Sequence, residues 1–252
     1  MNKNSFKTVV LEYGLVNIYE VNDIKLYAYK TNDLMADEVF IIEKGFEAFS
    51  IEQPCFVNNI KELEKFIKNN GINLVAKLIA YHGAGGSLYG SVGGGAALIN
   101  KFIGAFKEAF DPTVDNKVFK IEDGINYIAG LKVIIESNIE AYDIKIPELN
   151  CVYTHMLGHD CHSIVAGVGH ANGLIKQLSN YLDEGFDLVL TSHFTPEDQK
   201  DVKAKIAYLK EVKEIANVCH NKEEMKKELL AKYPEYSGLN YLDMTVGFFF
   251  HD

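Results

Sequence analysis

The alternation of apolar and polar residues predicts β-strands throughout the first third of the chain. Five alternating or β-branched segments are separated by turn residues at Gly14, Asn22-Asp23 and Lys44-Gly45: residues 7–13, 15–21, 24–31, 38–43 and 47–52. Short strands that follow one another so closely predict one antiparallel sheet.

A helix and a buried strand follow this first group. Apolar residues recur at helical spacing over residues 59–70 and end at Asn70-Gly71, and an apolar run over 74–80 leads to Tyr81 and His82. The next segment, HGAGGSLYGSVGGG over 82–95, is too rich in glycine for regular structure. A helix is predicted after it, over 96–110.

The second half of the chain repeats this plan. The pattern predicts strands over 133–137, 139–146, 151–155 and 163–166, a helix over 171–183, and a buried strand over 187–190 that leads to His193. Pro196 is typical of a helix start, and the following residues keep one apolar face to position 218. No low-complexity linker separates the halves. We therefore predict one domain over residues 1–252, with two packed sheets and helices outside.

Composition limits the classes of partner. The chain has 252 residues and a formal net charge of −10, and all 25 of its basic residues are lysine. A surface this acidic, without the bidentate guanidinium of arginine, argues against binding to nucleic acid or to an anionic membrane. A coding bias is the simpler explanation of the missing arginine.

The sequence also predicts a cytoplasmic location. Its first residues lack the apolar run of a signal peptide, and no segment approaches the length of a membrane span. Four scattered cysteines without a C-x-x-C pair are expected to be reduced and buried: Cys55, Cys151, Cys161 and Cys219.

The histidines are the main candidates for chemistry. His82 and His193 each follow an apolar strand, while His155, His159 and His162 lie close together in THMLGHDCHS. Strand ends and their loops are common places for a binding site, although any one of these side chains could be a hydrogen-bonded structural residue. The i, i+4 spacing within THMLGH is not a zinc-protease helix, because Met replaces the general-base Glu of H-E-x-x-H and a Gly weakens the helix.

The glycine-rich segment matches neither phosphate-binding motif. No G-x-x-x-x-G pair precedes Lys-Ser or Lys-Thr, and G-x-G-x-x-G is absent. The missing side chains either admit a ligand or allow two stretches of backbone to pack closely. Tyr81, Ser87 and Tyr89 are the polar groups here that could contact a substrate.

The order of these parts resembles the metallo-β-lactamase superfamily. The resemblance is carried by VFIIEKGFEAFSIEQP, NNIKELEKFIKNNGINLVAKLIAYHGAGG, CVYTHMLGHDCHSIVA, GFDLVLTSHFTPEDQKDVKAKIAYL and the tail GLNYLDMTVGFFF. It implies an α/β fold, a four-layer αββα sandwich of two mixed sheets flanked by helices. It also implies a metal site between the sheets and a closing helix in the tail.

The family's ligand motifs are only partly present. His82 matches the first His of H-x-H-x-D-H, but the second His falls on Ala84, the Asp on Gly86 and the last His on Ser87. Within LGH, His159 matches the His of the family's later G-H motif. Because no bridging Asp is found either, the two-metal hydrolytic centre is not expected.

The resemblance implies a smaller site in its place. His82, His159 and His193, the last matching the family's final His, would hold at most one zinc, iron or manganese ion, since three imidazoles and a water suffice for a catalytic shell. His162 could replace a missing ligand, and Asp160 could orient a ring.

Three hypotheses about function follow. The first is a hydrolase acting on an unidentified small molecule, with Asp160 and Tyr81 as catalytic residues and Ser87 and Tyr89 at the substrate. The second is a protein that has lost the metal centre and binds a ligand or a partner. The third is a catalyst that uses histidine acid–base chemistry without metal. The oligomeric state stays open, and the apolar residues 246–250 are expected to lie in the core.

Overall fold

A computed structural model describes residues 1–83, 93–114, 117, 119–155 and 158–250, and its strands form two sheets. The first sheet has its strands in sequence order: β1 Lys7–Val10, β2 Gly14–Val21, β3 Ile24–Thr31, β4 Glu38–Lys44, β5 Glu47–Ile51 and β6 Leu74–Leu78. Neighbours are antiparallel except β5 and β6, which are parallel because a helix connects them.

The second sheet has the spatial order β11-β10-β9-β8-β7. Its strands are β7 Gly124–Ile128, β8 Leu131–Ser137, β9 Tyr142–Ile146, β10 Cys151–Thr154 and β11 Leu188–Thr191. Strands β10 and β11 are parallel and the other neighbours are antiparallel, so both sheets are mixed.

Helices flank the two sheets. They are α1 Val57–Asn69, α2 Gly93–Phe106, α3 Gly167–Glu184, α4 Gln199–Val218, α5 Lys222–Lys232 and α6 Leu239–Phe249. Buried residues of α1 pack with outward-facing residues of the first sheet, and those of α3 to α6 form a second cluster beside β10 and β11. The predicted four-layer αββα sandwich is confirmed.

The main core lies between the sheets. Strand residues point alternately to this core and to the helices, so that Leu26, Phe40 and Phe49 from the first sheet meet Ile135 and Ile144 from the second, all fully buried. Truncating such a side chain to Ala typically costs about 2–5 kcal/mol, so this core fixes how the sheets face each other.

Several predicted elements differ from the structure. Residues 163–166, expected as a strand, instead bond to α6: the Val165 N–H donates to Thr245 Oγ1 at 2.8 Å, and that hydroxyl donates to the Ser163 carbonyl at 2.6 Å. Strand β7 and helix α5 were not predicted. The closing helix was predicted. Of residues 246–250, which were expected in the core, Val246 is only 4% exposed but Phe248 is 39% exposed, so only part of this segment is buried.

The four cysteines are buried and unpaired, as expected. Within the described ranges, no helix combines the length and the apolar character needed to cross a bilayer.

Candidate metal centre

The parallel strands β10 and β11 bring two histidines to the same edge of the second sheet. Thr154 lies opposite Thr191 at the carboxyl ends of these strands. His155 and His193 follow closely, and the Ser192 N–H continues the ladder by donating to the His155 carbonyl at 3.0 Å. The edge where parallel strands end is the usual ligand site in open α/β sheets.

The first sheet presents two more residues at its matching edge. Ile51 of β5 lies opposite Leu78 of β6, so His82 emerges beyond the paired carboxyl ends. Because β4 runs antiparallel to β5, Asp37, which precedes β4, lies at that same edge. The Glu38 N–H donates a hydrogen bond to the Ser192 carbonyl, and this bond joins the two sheets at this edge.

Three imidazole rings converge between the sheets. His82, His155 and His193 each offer a nitrogen, and these atoms all lie within 4.8 Å of one another. The ring centroids are 5.5 Å apart for His82 and His155, and 5.0 Å apart for each of the other two pairs. The first two histidines are buried and the third is nearly so, with a side chain 9% exposed.

The Asp37 carboxylate lies beside this cluster and is completely buried. Its Oδ1 is 3.3 Å from His193 Nδ1 and 3.8 Å from His82 Nε2. Among the described residues, neither oxygen of Asp37 and neither ring nitrogen of His82 makes a hydrogen bond of ordinary geometry. Buried polar atoms that lack well-formed hydrogen bonds are costly, so this pattern fits a site that is completed by a cation.

The electrostatics favour the same interpretation. Burial, and then the neighbouring His193 and His82, lower the pKa of His155 well below its usual value. Burial alone would raise the pKa of Asp37, but His82 and His193 outweigh it and lower that pKa. An imidazole cluster with one carboxylate is a donor set that suits zinc, iron and similar divalent ions.

Two further residues support the cluster. The Glu52 carboxylate accepts the N–H groups of Ala80 and Tyr81 at 3.1 and 2.9 Å and that of His82 at 2.7 Å, which fixes the segment after β6. The Tyr81 ring stacks on His155 with centroids 3.4 Å apart, and its hydroxyl donates to the Glu140 carbonyl at 3.3 Å.

His159 belongs to a second cluster. Its Nδ1 lies 3.0 and 3.1 Å from the Glu197 carboxylate oxygens and 3.6 Å from Asp201 Oδ1. These atoms are close enough to hold a metal ion. However, Asp201 already caps α4 by accepting the Asp198 N–H at 2.8 Å and forms an ion pair with Lys3. The second cluster is therefore explained as a helix cap and an ion-pair network.

The other predicted site residues are dispersed. His162 is fully buried against α4, with Nδ1 2.9 Å from the Tyr208 hydroxyl, and burial followed by the Lys205 charge lowers its pKa to about 4. Asp160 is exposed, and its carbonyl accepts the Ser237 N–H at 3.1 Å. Ser87 and Tyr89, together with the motif positions at 84 and 86, lie outside the described residues.

The structure thus brings together His82 and His193 from the predicted set and adds His155 and Asp37, which sequence reasoning did not assign. His155 had a usable signal, because it follows an apolar strand just as the other two histidines do. The family motif favoured His159 instead. Asp37 carries no motif, and only the antiparallel pairing of β4 places it at this edge.

Solved structures with the same fold include two metallo-β-lactamase proteins and an alkylsulfatase. A metallo-β-lactamase family protein from Thermus thermophilus is 10% identical, with a TM-score of 0.58, over 88% of this chain and 93% of its own. The inverting sec-alkylsulfatase Pisa1 from Pseudomonas sp. is 12% identical, with a TM-score of 0.58, over 92% of this chain but 49% of its own. A metallo-β-lactamase from Erythrobacter litoralis is 12% identical, with a TM-score of 0.50, over 81% of this chain and 100% of its own.

The chain therefore has the metallo-β-lactamase fold. Its sequence matches no protein-family model and no curated protein. Identities this low identify the fold alone, and the chemistry depends on the residues of the site.

Proposed function

We propose that this protein is a metal-dependent hydrolase of small molecules with a mononuclear centre. His82, His155 and His193 would hold the ion, and Asp37 would supply the compensating negative charge. The observation that carries the proposal is the convergence of three imidazole nitrogens within 4.8 Å beside a buried carboxylate that lacks hydrogen bonds of ordinary geometry among the described residues.

A divalent ion bound there would act as a Lewis acid that polarises a substrate oxygen or lowers the pKa of a water molecule. The chain's own residues prepare the site for this chemistry. The neutral His155 imidazole is a competent ligand, and the stacked Tyr81 ring covers one of its faces. We propose that the Tyr81 side chain also contacts a bound substrate, which its half-buried position supports.

The proposed substrate is a small ester or amide. Two of the fold matches are a β-lactamase and an alkylsulfatase by name, which supports hydrolysis of a small molecule. The net charge of −10 and the absence of arginine argue against a nucleic-acid substrate, which needs a basic path for its phosphates.

The proposal is tested by metal content and hydrolysis measured together. Protein purified without chelator is analysed for zinc, iron and manganese, then assayed with a chromogenic β-lactam, a sulfate ester, a thioester and a phosphodiester. The expected result is one metal ion per chain, and a hydrolytic activity that chelation abolishes and metal restores. His193→Ala should lose both properties.

Protein that takes up no metal and hydrolyses none of these compounds would contradict the proposal. The fold would then serve a binding function. Lys226→Ala, which removes an exposed ion pair with Asp243 on α6, is the control for nonspecific effects of substitution.

A further inference from the structure

A chain of four hydrogen-bonded residues connects the candidate ligand His155 to Glu52. The Tyr153 hydroxyl donates to Glu52 Oε1 at 2.8 Å and is also hydrogen-bonded to Ser192 Oγ. Ser192 Oγ in turn lies 3.1 Å from His155 Nδ1. All four residues are buried, so water does not compete for these bonds.

The direction of every bond in this chain follows from counting protons. A carboxylate only accepts hydrogen bonds, and Glu52 receives its four from Tyr153 and from three backbone N–H groups. Tyr153 has a single proton and gives it to Glu52, so its oxygen must accept the Ser192 proton. Ser192 then has no proton left for His155, and its oxygen must accept from His155 Nδ1–H.

We propose that Tyr153 and Ser192 are positioning residues that set the tautomer of His155, holding the proton on Nδ1 and leaving the Nε2 lone pair for a metal ion. This inference rests on the proposed function for the identity of the ligand site. It assigns roles to two residues that do not themselves belong to the histidine cluster.

The Glu52 carboxylate also positions a second candidate ligand, His82. Glu52 Oε2 accepts the His82 N–H at 2.7 Å, so one buried group orients the segment of His82 and, through Tyr153 and Ser192, the ring of His155. The backbone of Glu52 has φ 63°, in the left-handed region that residues other than glycine rarely adopt. Strained backbone at a fully buried residue is typical of functional sites. It is consistent with a role for the Glu52 carboxylate in orienting the two histidines.

The tautomer is measured directly in the metal-free protein. Two-bond ¹H–¹⁵N correlation spectra of ¹⁵N-histidine-labelled protein distinguish Nδ1–H from Nε2–H rings, and the His155 signals are those missing from His155→Gln. Wild-type His155 should be the Nδ1–H form. In Tyr153→Phe, the freed Ser192 proton can be donated to His155 Nδ1, which should shift the ring towards the Nε2–H form.

Calorimetric measurement of zinc affinity is the second test of the roles of Tyr153 and Ser192. Loss of a residue that orients a metal-ligating histidine typically weakens metal binding by about 10–100-fold, and we expect this for both Tyr153→Phe and Ser192→Ala. Tyr181→Phe is the matched control, because that buried tyrosine bonds to Asp143 and lies outside the chain. In Tyr181→Phe, the His155 tautomer and the zinc affinity should equal those of the wild type.

The outcomes separate this inference from the proposed function. A wild-type Nε2–H ring, or a tautomer that Tyr153→Phe leaves unchanged, overturns the inference even if zinc binds tightly. The predicted tautomers in a protein that binds no metal support the hydrogen-bond chain and contradict the proposed function.

Discussion

The rings of Tyr81 and His155 are stacked with their planes 7° apart and their centroids separated by 3.4 Å. Tyr81 follows strand β6 of the first sheet and His155 follows strand β10 of the second, so the contact crosses the gap between the sheets. The stacked Tyr81 ring restricts the plane of the His155 ring.

Removing the Tyr81 ring should weaken metal binding, while removing only its hydroxyl should not. An aromatic pair is worth about 0.5–1.5 kcal/mol, so Tyr81→Ala is expected to weaken zinc binding by about 2–13-fold. Tyr81→Phe retains the stack and loses the hydroxyl that donates to the Glu140 carbonyl. Calorimetric titration with zinc checks both variants, and equal affinities for Tyr81→Ala and the wild type would show that the stack does not position His155.

Neutralising Asp37 should weaken metal binding more strongly. Asp37→Asn keeps the shape of the side chain but removes the negative charge 3.3 Å from His193 and 3.8 Å from His82. We expect the affinity for zinc to fall at least about 10-fold, because the charge compensates the cation in a buried site.

Asp33→Asn is the control for Asp37. Its carboxylate accepts the N–H groups of Met35 and Ala36, both at 2.9 Å, and an amide oxygen can replace it in this turn. If both substitutions leave zinc affinity unchanged, Asp37 has no role in the site.

His162 should make the fold sensitive to acid. Its pKa of about 4 in the folded protein lies below the ordinary value of 6.5, so the unfolded chain binds a proton first. Its contribution to stability is complete above about pH 6.5 and is lost as the pH falls towards 4, at no more than about 1.4 kcal/mol per pH unit.

Urea denaturation at several pH values between 7.5 and 4.5 measures this effect. His162→Asn can keep a bond to the Tyr208 hydroxyl but cannot take up a proton there. Its free energy of unfolding should therefore fall less steeply with acid than that of the wild type. Parallel curves for the two proteins would refute the assignment.

Gly83 should tolerate no side chain. A Cβ there would lie 2.5 Å from Val114 Cγ1 and 3.1 Å from Ile79 Cγ2, next to His82. Gly83→Ala is expected to destabilise the fold by about 1–3 kcal/mol, as overpacking does. Gly104→Ala in α2 meets no atom within 4 Å and should be neutral or stabilising by up to about 1 kcal/mol. Denaturant midpoints test the pair, and the opposite ranking would contradict the packing around Gly83.

The sequence predicted the layers of the fold well because hydrophobic periodicity reports burial. Strands that follow one another closely, such as β2 to β5, are recognisable from alternation alone. The strand predicted over residues 163–166 was wrong because an apolar segment can be buried against a helix as well as against a sheet. Here the partner of Val165 is Thr245, 80 positions away.

Only the site residues that directly follow strands could be predicted from the sequence. His82, His155 and His193 all share that position, and the parallel pairing of β10 and β11 explains why the last two meet. The motif comparison favoured His159, whose local sequence cannot reveal that Glu197 binds its ring. Asp37 lies at the start of a strand, and only the antiparallel order of the sheet brings it to the others.

The identity of the third histidine is tested most directly by the zinc content of two variants. His155→Ala and His159→Ala are equilibrated with zinc, dialysed and analysed by mass spectrometry beside the wild type. We expect His159→Ala to retain one ion per chain, as the wild type does, and His155→Ala to lose it. Retention by His155→Ala with loss by His159→Ala would contradict the assignment of His155 as the third ligand.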